Sequence, residues 1–111
     1  DQPIAGIVFF DWDSATPPAE ATQTIDSAVQ YLSTCNWSGL VVTGHTDRSG
    51  SDAYNDALSM RRAQAVSAML AGKGVASSLL TVTGRGESEP KVPTADGERT
   101  PQNRRVEIMV K

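Results

Sequence analysis

One acidic and two basic side chains are spaced so that they could hold a small charged ligand. Asp47 ends the short segment Gly44–Asp47 (GHTD), and Arg61 and Arg62 follow within the next helical pattern. A carboxylate accepts hydrogen bonds from an ammonium group, and a guanidinium binds a carboxylate through two parallel N–H bonds. These residue types predict a site for a ligand that carries both an ammonium and a carboxylate.

The segment that carries these residues is predicted to form a strand, a polar turn and a helix. Residues 40–43 are mostly apolar and branched, residues 45–47 are polar, and a helical pattern begins near Asp52. Open α/β sheets bind ligands at the carboxyl ends of strands, beside helix N-termini that favour negative charge. The polar turn is therefore the predicted position of the site.

Helical periodicity separates the roles of the two arginines. At roughly 100° per residue, Arg62 lies on the same side of the helix as Asn55 and Val66, whereas Arg61 projects toward the predicted packing face. Arg62 with Asn55 is thus the better polar pair for a cleft. The alternative is that both arginines lay their methylene stems over the edge of the core and keep their charges in water. The residues predicted to face the core are Tyr54, Ala57, Leu58, Ala65 and Met69.

Length and composition limit the classes of function. With 111 residues, 39% hydrophobic and 21% charged, the chain is expected to form one soluble domain over residues 1–111, with two packed layers. A net charge of −3 without a basic stripe argues against nucleic acid as a partner. The apolar runs are shorter than the roughly 20 residues of a membrane span. Asp1–Pro3 also lacks the charged and apolar regions of a signal peptide.

The single histidine and the single cysteine argue against catalysis and metal binding. His45, Asp47 and Ser49 are close in sequence, but no G-x-S-x-G elbow accompanies them, so a hydrolase with His45 as base is a weak rival hypothesis. No pair of metal ligands has helical i, i+4 spacing, and Cys35 cannot form an internal disulfide. We therefore expect no enzyme activity, cofactor or metal, and a structural, hydrogen-bonded role for His45.

The remaining patterns predict an α/β (α+β) two-layer sandwich, with helices on one face of a mixed four-stranded sheet. Thr16 is a candidate cap for the first helix, with Pro17 in its first turn. The last strand alternates between apolar residues and others, which is typical of a strand covered on one face. The order is β-α-β-α-β-loop-β: strand 4–10 (predicted to be buried), helix 19–33, strand 40–43, helix 52–71, strand 80–84, a long polar loop 85–102 and strand 105–110.

Two adjacent arginines stand at the start of the last strand, in the triplet Asn103–Arg105. Successive side chains of a strand point to opposite faces, so only one of the two arginines can face the cleft. Their alternative role is to protect an exposed edge of the sheet.

Three motifs, in order along the chain, resemble the OmpA C-terminal-like family, which includes peptidoglycan-associated lipoproteins and the periplasmic domains of flagellar stator proteins. Each motif alone is a weak signal, but the three together at these separations are highly specific and span most of the chain. They are the opening run 8–14 (VFFDWDS), the central GHTD with Gly50, Tyr54-Asn55, Leu58-Ser59 and Arg62-Ala63, and the closing GRGES (84–88) with Pro90 and NRRVE (103–107).

The resemblance implies non-covalent binding of peptidoglycan through the diaminopimelate of its stem peptide. It further implies a periplasmic domain of a Gram-negative envelope protein, associated with the outer membrane and anchoring it to the cell wall. By the same resemblance, Asp47 receives the ammonium of the ligand and Arg62 its carboxylate. The implied helpers are Asp11, Thr46, Asn55, Leu58 and Arg104.

Two departures from the family pattern concern the entrance to the site and the long loop. Trp12 stands where the family usually has phenylalanine or tyrosine, and it could narrow the cleft. Arg99-Thr100-Pro101 replaces a common Gly-Arg pair, which puts the path of the loop in question. The main alternative function is a protein-interaction or oligomerisation module, such as a homodimer, that has the fold without the ligand.

Overall fold

Helices and strands alternate along the chain in the predicted order. The structure is a computed structural model that describes residues 4–47, 51–86 and 101–111. The predictions for residues 87–100 of the long loop, and for Ser49 and Gly50, lie outside these ranges. The predicted third and fourth strands are confirmed residue for residue. The elements are β1 (Ile4–Phe9), α1 (Ala21–Leu32), β2 (Leu40–Gly44), α2 (Asp52–Gly72), β3 (Leu80–Gly84) and β4 (Arg105–Val110), with 3₁₀ turns at Ser77–Leu79 and Pro101–Asn103.

The four strands form one mixed sheet in the order β1-β4-β2-β3. Strand β4 runs antiparallel to both of its neighbours, and β2 runs parallel to β3. A parallel pair needs a crossover connection, which α2 supplies. As a result, the ends of β1, β2 and β3 and the start of β4 meet at one end of the sheet. We call this the ligand end, marked by Phe9, Gly44, Gly84 and Arg105.

Both helices pack on the same face of the sheet. On β4, Val106, Ile108 and Val110 are buried on that face, whereas Glu107 and Met109 are only partly covered on the other. This alternation confirms the prediction of a strand that is covered on one face. The core is completed by residues of both helices and of β2, chiefly Ile25, Ala28, Leu32, Val42, Ala63, Val66 and Leu70.

Strand β1 is an edge strand, and the prediction of a buried strand is wrong. Only Val8 is buried within it, while Ile4 is 49% and Phe9 44% exposed. Its apolar composition indicates burial, but a strand that pairs with β4 alone has one side open to solvent. Which strand occupies the edge depends on the chain topology rather than on local composition.

The start of α1 also differs from the prediction. The helix begins at Ala21 and its capping residue is Glu20, which makes no side-chain capping bond. Thr16 instead lies in the preceding loop, where its amide donates to Ser14 Oγ at 3.1 Å. Pro17 precedes Pro18, and a residue before proline is disfavoured in the helical region. The helix therefore cannot begin at Thr16.

The packing face of α2 is not the predicted stripe. Tyr54 is 40% exposed and Ala57 is also exposed; of the predicted stripe, only Leu58 is buried. The helix lies directly on strand backbone: a Cβ added at Gly44 would overlap the carbonyl oxygen of Ser59, and one at Gly84 would lie 2.8 Å from the amide nitrogen of Met60. Such close packing favours small side chains. The buried residues of α2 are Asn55, Leu58, Ser59, Arg62, Ala63, Val66 and Leu70.

Residues 4–47, 51–86 and 101–111 contain no helix with both the length and the apolar character needed to cross a membrane. The longest helix, α2, has 21 residues but carries four charged ones, at positions 52, 56, 61 and 62.

Candidate functional site

The guanidinium of Arg62 is buried and binds main-chain carbonyl groups from two turns. Nε donates to Ser14 O at 2.7 Å, Nη1 to His45 O at 3.0 Å and Nη2 to Asp11 O at 3.1 Å. The side chain is 0% exposed. The alternative in which this charge lies in water is therefore wrong for Arg62, although the neighbouring Arg61 is exposed.

These bonds make Arg62 a cross-link between parts of the chain that are distant in sequence. Residues 11–14 follow β1 and His45 follows β2, so the helix holds both turns at the ligand end of the sheet. The guanidinium carbon also lies 5.3 Å from the centre of the Phe10 ring, a cation–π distance. The carbonyl oxygens and the ring together compensate a charge that would otherwise be costly to bury.

Burial lowers the pKa of Arg62 below its ordinary value, to about 10. Removal from water is the main cause, and the positive charges of Arg104 and Arg61 add to it. The carboxylates of Asp47 and Asp13 oppose the shift. A pKa of about 10 leaves the group protonated at neutral pH, so the site retains a cation there.

The carboxylate of Asp47 is held beside this cation. Asp47 is 3% exposed, and its Oδ2 accepts a hydrogen bond from Arg104 Nη1 at 3.2 Å. Its main-chain oxygen accepts from Asn55 Nδ2 at 3.5 Å. Arg104 is itself held by a bond from its Nε to Phe10 O at 3.0 Å. The turn after β2 is thus bound to α2 and to the start of β4.

The two adjacent arginines separate as the strand pattern predicts. Arg104 faces Asp47, whereas Arg105 donates from Nε to Glu107 Oε2 at 2.7 Å. The alternative role at a sheet edge is wrong, because β4 lies between β1 and β2.

A small pocket brings the predicted anionic and cationic groups together. We call it the inner pocket; its volume is about 30 Å³, which is room for roughly one or two water molecules. It lies between the turns after β1 and β2 and the first half of α2. Four predicted site residues, Asp47, Asn55, Leu58 and Arg62, share its walls with Trp12, Asp13 and Tyr54.

The other three predicted site residues lie around the inner pocket rather than in its walls. Thr46 is 2% exposed, and its amide donates to Gly86 O at 2.8 Å, which links the turn to the end of β3. Asp11 and Arg104 line a neighbouring depression of about 430 Å³, which we call the outer groove. Its walls are Phe9, Phe10, Asp11, Pro18, Glu20, Gln102 and Arg104.

Three residues that line the inner pocket were not among the predicted site residues: Trp12, Asp13 and Tyr54. Asp13 has a φ of 56°, a left-handed conformation that aspartate tolerates better than most residues. Its place in the same turn as Asp11, shortly after the first strand, was a usable signal for this second carboxylate. Tyr54 was predicted to face the core, and Trp12 was predicted only to narrow the entrance, where it is 44% exposed.

His45 has the structural position that the sequence predicts. Its amide donates to Arg105 O at 2.7 Å, and its carbonyl accepts the bond from Arg62. The ring is buried, with Nε2 3.8 Å from Glu107 Oε1. In the part of the chain that the structure describes, no three His, Cys, Asp or Glu side chains are grouped as metal ligands.

Comparison with known proteins assigns this chain to a family. Residues 9–104 match the OmpA family. The chain belongs to the OmpA family. It is 40% identical over 102 residues to a peptidoglycan-associated lipoprotein of Mesorhizobium japonicum, covering 92% of this chain. The chain spans 61% of that lipoprotein, less than two thirds of its length.

Solved structures of OmpA-like domains have the same fold. The peptidoglycan-associated lipoprotein of Burkholderia pseudomallei superposes with a TM-score of 0.84 at 28% identity, covering 96% of this chain and 90% of that one. The cell wall anchor of the type VI secretion system (T6SS) of Pseudomonas aeruginosa gives a TM-score of 0.74 at 31% identity, covering 92% and 73%. The mixed four-stranded sheet with two helices is thus the fold of this family.

Proposed function

We propose that this chain is a single peptidoglycan-binding domain of a periplasmic envelope protein, and that it holds the diaminopimelate of the stem peptide in the inner pocket. The supporting observation is that the Asp47 carboxylate and the Arg62 guanidinium line the same pocket. The names of two relatives, a peptidoglycan-associated lipoprotein and a cell wall anchor, point to the same polymer. Binding needs no covalent chemistry, so the proposed role is anchoring.

The ammonium of the ligand is assigned to the acidic side of the inner pocket. Asp47 and Asp13 both line it, so two carboxylates attract a cation there. Arg104 already bonds to Asp47 at 3.2 Å, and an arriving ammonium therefore either shares that carboxylate or displaces the guanidinium. This competition lowers the net gain from the new ion pair, because Asp47 is not left uncompensated in the empty site.

The carboxylate of the ligand is assigned to the remaining donors of Arg62. A guanidinium has five N–H groups, and the bonds to Ser14, His45 and Asp11 use one each on Nε, Nη1 and Nη2. Counting these bonds to the described residues, one N–H of Nη1 and one N–H of Nη2 stay available to a ligand. Two such N–H groups match the bidentate geometry that a carboxylate prefers.

Entry of the ligand requires the exposed walls of the inner pocket to move. A volume of about 30 Å³ does not admit an amino-acid head group. Trp12 and Tyr54 are 44% and 40% exposed, so they can rotate without breaking the core. Ordering these side chains on binding reduces the net binding free energy. We therefore expect modest affinity for a single stem peptide.

Isothermal titration with free meso-diaminopimelate tests the proposal. Asp47→Asn removes the proposed ammonium acceptor with little change in size, and it should weaken binding by a factor on the order of 30 or more. Asp26→Asn is the matched control, because Asp26 is half-exposed and pairs with Lys73 on the far side of the molecule. Co-sedimentation with diaminopimelate-containing sacculi should rank the variants in the same order.

Two results would contradict the proposal. One is unchanged affinity in an Asp47→Asn protein whose circular dichroism and melting temperature match the wild type. The other is an absence of amide shifts in residues 44–62 of the wild type when millimolar diaminopimelate is added.

A further inference from the structure

The outer groove has the mixed lining of a small-molecule site. Its volume of about 430 Å³ lies within the roughly 300–1,000 Å³ range that is usual for such sites. Phe9 lines the groove and is 44% exposed, so its ring provides an apolar surface there. Glu20 and Gln102 provide polar groups on the same walls.

The outer groove adjoins the inner pocket through contacts between their walls. Arg104 lines the groove and donates to Asp47, a wall of the pocket, at 3.2 Å. Asp11 also lines the groove, and its carbonyl oxygen accepts from Arg62 Nη2 at 3.1 Å. A polymer held in the inner pocket therefore has the outer groove as its next surface on this side of the molecule.

The charge of the groove argues against an anionic occupant. Two acidic residues, Asp11 and Glu20, line it against one basic residue, Arg104. The free carboxylates of a stem peptide would be repelled by this surface. Hydroxyl and acetamido groups are neutral; they donate hydrogen bonds to carboxylates and exchange bonds with an amide such as that of Gln102.

We propose that the outer groove is a subsite for a neutral sugar ring of the wall glycan, with Phe9 as the apolar platform beneath it. The proposal rests on the proposed function, since the diaminopimelate in the inner pocket sets the position of the attached glycan. The proposal requires the short peptide between diaminopimelate and sugar to pass from the pocket to the groove, and each extended residue of that peptide spans roughly 3.3–3.6 Å. The aromatic face attracts the C–H groups of the sugar, and Glu20 receives a hydroxyl.

Three ligands separate the two sites: free meso-diaminopimelate, the stem peptide without sugar, and the disaccharide carrying the same peptide. The wild type should bind the disaccharide-peptide roughly three- to tenfold more tightly than the peptide alone. Phe9→Ala should remove that gain and leave the affinity for free diaminopimelate unchanged. Ile4→Ala is the matched control, because Ile4 is a 49% exposed apolar residue of the same strand at the other end of the sheet.

A fourth measurement keeps the subsite testable if the inner pocket binds nothing. The disaccharide alone, at millimolar concentration, should shift the amide signals of residues 9 and 102 in the wild type, and neither of the two in Phe9→Ala. Those shifts without any response to diaminopimelate would support the subsite and contradict the proposed function. Two results would overturn the subsite without contradicting the proposed function. The wild type could bind the peptide and the disaccharide-peptide with equal affinity, or Phe9→Ala could lose affinity equally for all the ligands.

Discussion

At the scale of single residues, Arg62 combines two roles that are usually separate. Its guanidinium holds the turns after β1 and β2 together through Ser14, His45 and Asp11, and it also faces the inner pocket. The first role keeps the second in place, because the bonds to the backbone define the direction of the planar group. A ligand carboxylate therefore meets a donor pair that is already oriented, which reduces the entropy lost on binding.

Arg62→Lys should damage both stability and binding. A lysine keeps the positive charge but cannot donate to three separate carbonyl groups in the geometry of the guanidinium fork. The carbonyl groups that are left without a hydrogen-bond donor should lower the free energy of unfolding by roughly 3 kcal/mol or more. Urea denaturation measures this change.

The control for that experiment is Arg61→Lys. Arg61 is exposed and adjacent to Arg62. The free energy of unfolding of Arg61→Lys should therefore differ from that of the wild type by at most about 0.5 kcal/mol. A similarly small effect of Arg62→Lys would show that the bonds to the two turns contribute little.

At the scale of elements, the site depends on how closely α2 approaches the sheet. Gly44 and Gly84 are paired on neighbouring parallel strands, and both lie directly under the backbone of Ser59 and Met60. This approach brings Asn55 and Arg62 to the ligand end of the sheet. A thicker layer of side chains would move α2 away from the turns that Arg62 joins.

Gly44→Ala should therefore be strongly destabilising. Its Cβ would overlap the carbonyl oxygen of Ser59, so the helix must shift or the strand must bend. We expect a loss of at least about 3 kcal/mol of unfolding free energy by analogy with severe overpacking. Thermal unfolding followed by circular dichroism measures it.

The matched variant is Gly72→Ala, at the end of α2. No atom lies within 4 Å of a Cβ added there, so alanine should be neutral or stabilise by up to about 1 kcal/mol. If the two variants had equal effects, close packing at Gly44 would not limit stability.

The loop after β1 carries Trp12, a partly exposed wall of the inner pocket. Trp12→Phe places a smaller aromatic side chain in this wall and should admit the ligand with less rearrangement. We expect diaminopimelate to bind about fivefold more tightly, the equivalent of one side chain that no longer needs to be ordered. Trp37→Phe, far from the site and packed against the core, should leave the affinity unchanged. Weaker binding by Trp12→Phe would mean that the indole contacts the ligand instead of obstructing it.

At the scale of the whole molecule, the proposed binding surface and the described ends of the chain lie at opposite ends of the sheet. Strand β1 begins at Ile4 beside Met109, and the amide of Lys111 donates to Gly39 O at 3.0 Å. The inner pocket and the outer groove are both at the ligand end. Attachment to another body through either described end therefore leaves the site unobstructed.

This geometry predicts strong avidity for the polymer. Two copies joined through a flexible linker should bind sacculi on the order of a hundredfold more tightly than one copy, because the second contact becomes intramolecular. The affinity of each copy for free diaminopimelate should not change. A joined pair in which one copy carries Asp47→Asn is the control and should bind sacculi like the single domain. Equal binding by the single domain and by the joined wild-type pair would contradict the prediction.

The sequence indicated most of the architecture because local patterns were consistent with it. The ranges of β3 and β4 follow from branched and alternating residues, and glycines mark the end of α2. The GHTD turn was predicted at a strand end, and Asp47, Asn55, Leu58 and Arg62 do share a pocket. The roles of these residues in ligand binding stay predictions. Three features were not predicted: the edge position of β1, the true start of α1 and the packing face of α2.

The residue types at the site were determined by the sequence alone: an acid in a turn, an arginine on the next helix, and the motifs of the OmpA family. Only the tertiary structure decided that Arg62 is buried against backbone carbonyls, that Asp13 is a second acid, and that an outer groove adjoins the inner pocket. The reason is physical. Hydrophobic periodicity reports burial in a side-chain core, whereas α2 packs on glycine backbone and its buried face is partly polar. Contacts between residues far apart in sequence depend on strand order, which no local pattern encodes.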